Sequence, residues 1–366
     1  MAKILQNGKI VVHLNDILAH KSTNYKTTVM KKLVFGIDIG GTNTAFGLVD
    51  ENGEIFAEST ISTRKYTHFD DYPRYIEDLA AAMHALVDSV DFKFELLGIG
   101  VGAPNANYYK GTVEIPSNMW KYTDEQIAAG AKEEERMFNF SEDLGKHFDG
   151  VPVYITNDAN AATIGEMVYG GAKGMKNFIM ITLGTGVGSG FVANGEMIYG
   201  HDGFAGEFGH VIVERGGRQC GCGRRGCLES YTSAGGIKRT AFELMATMND
   251  PSPIREYSFD QLEAAMLSRF AAEGDPIAKE CFRLTGQKLG YALADAVTIT
   301  SPEAIFLFGG LAKAGDLIFG PIKHYMEENM LITFKNKVKV FPSELQDKNA
   351  AILGAAALVW QAKQTA

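Results

Sequence analysis

Short apolar runs, broken at intervals by glycine and asparagine, set the pattern of this chain. Lys32 to Ile39 (KLVFGIDI) and Thr44 to Val49 (TAFGLV) are nearly all apolar and too short for helices, so they read as buried strands. The turn signal Asp50-Glu51-Asn52-Gly53 follows, and Glu54 to Ser62 reads as a third strand. Asp71 to Val90 changes period: Tyr75, Leu79, Met83, Leu86 and Val87 recur on one face of a helix. Leu96 to Val101 and Val151 to Thr156 return to strand character. The first ends in the loop Gly102-Ala103-Pro104-Asn105, and the second meets Asn157-Asp158-Ala159-Asn160, with a helix over Ala159 to Tyr169. Further on, Pro276 to Thr300 is helical, Ala304 to Phe308 is a strand, and Ala350 to Gln361 is a terminal helix placed to cross back to the first lobe.

The pattern repeats. Asn177 to Leu183 is a strand and Gly184 to Gly190 (GTGVGSG) a glycine turn. Phe191-Val192-Ala193, Asn194-Gly195 and Glu196 to Tyr199 then repeat Ile37 to Phe56 element for element, sharing Asn-Gly-Glu at 52–54 and 194–196. Two copies about 140 residues apart imply a duplicated two-lobed α/β architecture with a central cleft. The expected division is an N-terminal extension over 1–29 with no assigned role, one lobe from 30–156 plus 350–366, and a second lobe over 157–349.

Composition narrows the class. The chain has 366 residues, 46% hydrophobic and 22% charged, which suits a globular protein of about two domains. A net charge of −9 argues against nucleic-acid or anionic-membrane partners, since both select a basic face. The apolar stretch Ile10 to Leu18 is interrupted by His13, Asn15 and Asp16, so no signal-peptide core or membrane span is expected. Four cysteines are too few for a disulfide scaffold, and a reducing, cytoplasmic setting is expected. Glycine stands out: 41 of 366 is 11%, against about 7% on average.

Part of that glycine lies in loops suited to phosphate. Gly184 to Gly190 resembles a dinucleotide fingerprint only superficially, because a strand follows where that fingerprint needs a helix. No GxxxxGK[ST] loop exists. A glycine turn between antiparallel strands can serve backbone geometry alone, or can aim successive N–H groups at phosphate oxygens. Two copies, each with a threonine (Thr42, Thr185) and one preceded by Asp38, favour phosphate. The candidates are Gly40, Gly41, Thr42 and Asn43 in the first copy and Gly184, Thr185, Gly186 and Gly188 in the second. Asp38 could hold Mg²⁺. Gly309 and Gly310 end a later strand and are candidates for nucleoside contact.

His210, Cys220, Cys222 and Cys227 form H-x9-C-x-C-x4-C, a spacing that supplies a closed Cys3His zinc site, structural rather than catalytic. Unpaired core thiols or disulfides are the alternative, and they leave the clustering of three cysteines among glycines unexplained. Arg218, Arg224 and Arg225 could offset the excess thiolate charge, while Cys281 reads as a core residue. The metal loop, 207–229, would fix Glu207 and Glu229, whose carboxylates could accept protons from a sugar's hydroxyls. A di-iron reading of Glu207-x-x-His210 needs a second such pair, and none is suitably placed.

Asp158 ends a strand and opens a helix. It could be an N-cap. Among two phosphate-like loops it could instead accept the proton of a hydroxyl attacking a phosphoryl group, with Asn157 as a hydroxyl-binding neighbour.

Together these residues resemble the ROK family (repressor, open reading frame, kinase). The resemblance rests on Asp-Ile-Gly-Gly-Thr-Asn at 38–43, Asn-Asp-Ala-Asn at 157–160, Leu-Gly-Thr-Gly-Val-Gly-Ser-Gly at 183–190, Glu-Phe-Gly-His at 207–210 and Cys-Gly-Cys-Gly-Arg-Arg-Gly-Cys-Leu-Glu at 220–229. It runs from about Leu33 to the C-terminus. It implies an actin/hexokinase-like (ribonuclease H-like) fold and ATP-dependent phosphorylation of a hexose, most often glucose at O6. By the family's pattern Asp158 resembles the catalytic base, and Asn157, Glu207, His210 and Glu229 the sugar contacts, with His210 also on zinc. Homodimers are expected too. Two departures leave mannose, fructose and N-acetylated hexosamines open as acceptors: Pro104-Asn105 where relatives have Pro-Gly, and a longer, charge-rich segment at Thr123 to Arg136. The family also contains sugar-responsive repressors. Their DNA-binding domain is larger than residues 1–29, which show no helix-turn-helix pattern.

Overall fold

The computed structural model describes residues 4–6, 9–11, 30–116, 119–346 and 349–365. Contacts divide the chain into two compact units, residues 1–169 with 348–366, and residues 170–347. The expected boundaries at 156/157 and 349/350 differ from these. The helix after Asn157 packs with the first unit, because the C-terminal helix Ala350–Thr365 lies against it.

In the first unit the elements run β1 (Ile4–Gln6), β2 (Lys9–Val11), β3 (Lys31–Ile39), β4 (Asn43–Val49), β5 (Ile55–Ser62), α1 (Tyr72–Ser89) and β6 (Phe94–Gly102). After β7 (Ala106–Asn107), β8 (Thr112–Glu114), α2 (Asp124–Ala128), β9 (Met137–Phe138) and α3 (Phe140–Gly145) come β10 (Val153–Thr156) and α4 (Asp158–Tyr169). β3, β4 and β5 form the expected antiparallel meander, with Ile37 opposite Phe46 and Ala45 opposite Thr60. β6 runs parallel to β3, and β10 parallel to β6, so Asp38, Gly102 and Thr156 stand in one row at the carboxyl ends of three strands. The hairpin β1–β2 meets the start of β6, with Val11 opposite Glu95. The rest of the expected extension, 1–3, 7–8 and 12–29, lies outside the described residues.

Glycine explains the floor under this row. A methyl on Gly36 or Gly100 would overlap the carbonyl oxygen of Ile352 or Ala355, so only glycine lets the C-terminal helix press onto β3 and β6. On another face α1 buries Tyr75, Leu79 and Met83 as the pattern predicts. It meets an aromatic cluster that sequence did not reveal: Trp120, Phe138 and Phe140 around Tyr72 and Tyr75. The charge-rich segment 123–136 is anchored there. Arg136 is buried, donating to the carbonyls of Pro116, Met119 and Trp120 and pairing with Glu133 at 3.0 Å.

The second unit holds β11 (Phe178–Leu183), β12 (Val187–Ala193), β13 (Glu196–Met197), α5 (Glu229–Thr232), α6 (Ala234–Thr247), α7 (Ala264–Ala272), α8 (Pro276–Thr300), β14 (Ala304–Phe308), α9 (Asp316–Asn329) and β15 (Lys339–Pro342). Its sheet order, β13-β12-β11-β14-β15, reproduces β5-β4-β3-β6-β10 of the first unit, with the same parallel and antiparallel pairings. α8 and β14 match the sequence reading end to end. The glycine turn does not. It closes at residues 184–186, and Val187 onward is strand, because Leu183 pairs with Val187. Cys281 is buried in α8 as expected. Among the described residues no helix is long and apolar enough to cross a membrane.

Candidate functional site

At the strand ends of the first unit, the local fold decides what each side chain is free to do. Asn157 takes the cap of α4: its Oδ1 accepts the N–H of Asn160 at 2.7 Å. Asp158 is therefore not the cap. Its Oδ1 accepts the neighbouring N–H of Ala159, at 2.9 Å, and its own backbone N–H also bonds the carboxylate. Asp158 keeps an open surface, yet the protein around its carboxyl withdraws it from water and raises its pKa, against the lowering effect of the Ala159 N–H.

Asp38 stands across the row from Gly102, and a methyl on Gly102 would lie 3.8 Å from the Asp158 Cα. Burial, and secondarily the charge of Asp158, push Asp38 up to about 6. Among the described residues no cation pairs with it. A second acid and a withdrawn carboxylate without a counter-charge are the donor chemistry that suits a hard divalent cation.

The loop after Asp38 is tied at both ends. Gly40 N–H donates to Asn43 O at 3.0 Å, and Thr42 O accepts from Thr63 and Arg64. Among the described residues the N–H groups of Gly41 and Thr42 donate to no backbone carbonyl, and both residues are exposed. The second loop is shorter: Gly184 N–H donates to Gly186 O at 3.0 Å, and Thr185 is exposed. Ladder register aligns Asp38 with Thr182, each one pair before the loop, so the two copies put an acid and a hydroxyl at equivalent places. Thr42 and Thr185 are not equivalent.

Gly188 lies inside β12, and its N–H donates to Thr182 Oγ1 at 3.1 Å, which removes it from the loop. Gly309 adjoins Leu183, the residue before the second loop. Both of its backbone groups are paired with the amide of Gln346, at 3.1 and 2.9 Å. Gly310 is exposed and has open space where a methyl would stand.

The four Cys3His side chains come together and could hold a metal ion. The ligand atoms of His210, Cys220, Cys222 and Cys227 all lie within 4.8 Å of one another. Cys222 and Cys227 sulfurs are 3.6 Å apart, and Cys220 Sγ is 3.8 Å from His210 Nδ1. A tetrahedral zinc with Zn–S near 2.3 Å sets its sulfurs about 3.8 Å apart, so the donor set fits that ion. Nδ1 faces the cluster, which leaves Nε2 of His210 for another partner.

Of the three arginines, Arg224 alone carries the expected balancing charge, bonding Cys222 and reaching His210 O at 2.8 Å. Arg218 turns away. It ties the loop to α5 through Ser230 O and to α6 through Gly236 O, Thr240 and Glu243. Arg225 donates to Gly216 O.

Val187 joins the two acidic segments, a role no sequence signal marked. Gly209, one residue before His210, is pressed so close to the Val187 carbonyl that any side chain would overlap it. On the other side Val187 N–H donates to Glu229 Oε2 at 3.0 Å. Glu207 is exposed, lining a cavity of about 420 Å³ with Phe191, Ile198 and Val211. Asn105 takes φ 55°, a left-handed conformation that asparagine adopts more readily than most other residues with a side chain.

Two units with one repeated five-strand order, and a glycine loop after β3 in the first and after β11 in the second, define an α/β protein of the actin/hexokinase-like, ribonuclease H-like fold. Within that fold, a model of the ROK family matches residues 34–362, and the chain belongs to that family. It is 33% identical to the glucokinase of Streptomyces coelicolor, over 89% of this chain and 97% of that protein. The xylose repressor of Bacillus subtilis is 26% identical, over 88% of this chain and 76% of its own length. Among solved structures, a ROK family glucokinase from Streptomyces griseus in complex with glucose and AMPPNP superposes with a TM-score of 0.69. It is 29% identical, covering 90% of this chain and 99% of that one.

Proposed function

We propose that this ROK protein is an ATP-dependent hexose kinase that phosphorylates glucose at O6. The observation that carries the reading is the freedom of Asp158. Asn157 takes the helix cap, so the Asp158 carboxylate is left to orient a sugar hydroxyl and accept its proton. Its raised pKa brings it nearer to neutral pH, where a general base works best.

The N–H groups of Gly41 and Thr42, which among the described residues donate to no backbone carbonyl, and the loop at Thr185 and Gly186 are assigned to phosphate oxygens, and Gly310 to the nucleoside side. Asp38 would hold Mg²⁺, which neutralises charge on the transferred phosphate. We assign sugar contacts to Asn157, through its amide nitrogen, and to Glu207, His210 and Glu229 of the second unit. Zinc on His210, Cys220, Cys222 and Cys227 holds the loop that carries those residues in shape and takes no part in the chemistry. We assign the enzyme to the cytoplasm and to a homodimeric state, the second of which gel filtration checks.

ADP release from MgATP, measured with glucose, mannose, fructose, N-acetylglucosamine, N-acetylmannosamine and no sugar, tests the reading. Sugar-dependent release, highest with glucose, is expected. Asp158→Asn should lower turnover by about 10²–10⁴-fold while glucose still binds. Unchanged turnover would remove Asp158 from its role. Sugar binding without ADP release would instead support the sugar-responsive regulator, the role that the xylose repressor's name carries.

A further inference from the structure

The zinc loop and the glycine loop of the second unit meet in one side chain. Glu229 follows the ligand Cys227 by two residues and opens α5. Its Oε2 accepts the N–H of Val187 at 3.0 Å, the first residue after the loop 184–186. Its Oε1 lies 3.7 Å from the Cys220 sulfur. The backbone repeats the connection at the loop's other end, where Ala234 N–H donates to Gly184 O at 2.9 Å. Ala234 opens α6, and the preceding cap residue, Ser233, donates its own N–H to Glu229 O at 3.1 Å. Gly186 admits the carboxylate, since a methyl there would stand 2.5 Å from Oε2. Loop 184–186 is thus held at its start and at its end by residues that the metal ligand Cys227 leads into.

We propose that Glu229 is a positioning residue for the nucleotide loop, and that its two carboxylate oxygens couple sugar binding to nucleotide binding. The inference rests on the kinase reading above. A hydroxyl donating to Oε1 restrains the whole carboxylate, so the Oε2 bond to Val187 is already ordered when phosphates arrive. The second ligand then loses less freedom on binding, and linkage makes the effect reciprocal.

Calorimetry with Mg²⁺ and AMPPNP, with and without glucose, tests the coupling in the zinc-loaded chain, the zinc content of every variant being measured. Glucose should tighten nucleotide binding in the unaltered protein. Glu229→Ala should weaken nucleotide binding about tenfold even without sugar, since a hydrogen bond to a charged group is lost, and should abolish the tightening. Glu229→Gln keeps an oxygen for the Val187 N–H and should hold nucleotide affinity within about threefold, a rescue that general loss of structure would not produce.

Nucleotide affinity within twofold of the unaltered protein in Glu229→Ala, with zinc retained and sugar binding lost, would confine Glu229 to the sugar and overturn the proposal while leaving the kinase reading intact. Should Glu229→Ala lose zinc or fail to fold, Glu229→Asp decides, because the shorter side chain withdraws the carboxylate from the Val187 N–H without removing its charge. Undiminished nucleotide affinity there would equally overturn the proposal. Absence of nucleotide binding in the unaltered protein would instead overturn the kinase reading, and this inference with it.

Discussion

Asp38→Asn should stabilise the first unit at neutral pH, and by much less in acid. Burial and the charge of Asp158 raise the Asp38 carboxyl from 3.8 to about 6. The folded chain therefore holds this proton more tightly than the unfolded chain. That contribution to stability is complete below pH 3.8 and is lost as the pH rises through about 6. A shift of roughly two pH units corresponds to about 3 kcal/mol of penalty on the ionised form at pH 7.5, and under about 1 kcal/mol at pH 4. Asparagine carries no charge to desolvate, so the variant escapes this penalty. Urea unfolding followed by tryptophan fluorescence reads the correct unit, because both tryptophans, Trp120 and Trp360, are buried in it. With a slope of about 2–3 kcal/mol per molar, the midpoint at pH 7.5 should rise by about 1 M relative to the unaltered protein, and the gain should shrink toward pH 4. The same variant should lose turnover, because the charge that destabilises the fold is the one that would hold the metal. A midpoint difference that is absent, or identical at both pH values, would refute the reasoning.

Metal analysis of freshly purified protein should find about one zinc per chain, and Cys227→Ser should lower it; less than about half a zinc in the unaltered chain would count against the Cys3His site. Gly36→Ala should cost about 2–3 kcal/mol or prevent folding of the first unit, since the methyl has nowhere to go beneath the Ile352 carbonyl; a urea midpoint near that of the unaltered protein would show that the C-terminal helix can shift. Asn105→Gly should change stability by less than about 1 kcal/mol, whereas Asn105→Val should cost more than about 2 kcal/mol at this left-handed position, and equal unfolding midpoints would disprove the conformational account.

Much of the fold was legible because its signals are local. Strand length, helical spacing and Asn-Gly turns each lie within a few residues, and the repeat carried the pairing of β3, β4 and β5 over to β11, β12 and β13. β15 carries no comparable signal, because it buries Val340 alone and exposes its neighbours. The Cys3His grouping was equally legible, since three of its four residues lie within eight positions of sequence and thiolate chemistry restricts what such a set can do.

What sequence determined alone was the inventory: the acids, the glycine loops, the Cys3His set and the residues that tie the chain to its family. Tertiary structure decided which of those groups remain available. Asn157 rather than Asp158 caps the helix. Gln346, 37 positions away, pairs both backbone groups of Gly309. Thr182 takes the N–H of Gly188 out of the loop. Glu229, 42 positions from Val187, fixes the end of the second glycine loop. Each outcome depends on which donor meets which acceptor within about 3 Å. Composition and spacing supply donors and acceptors, but only the packed chain brings them to that distance.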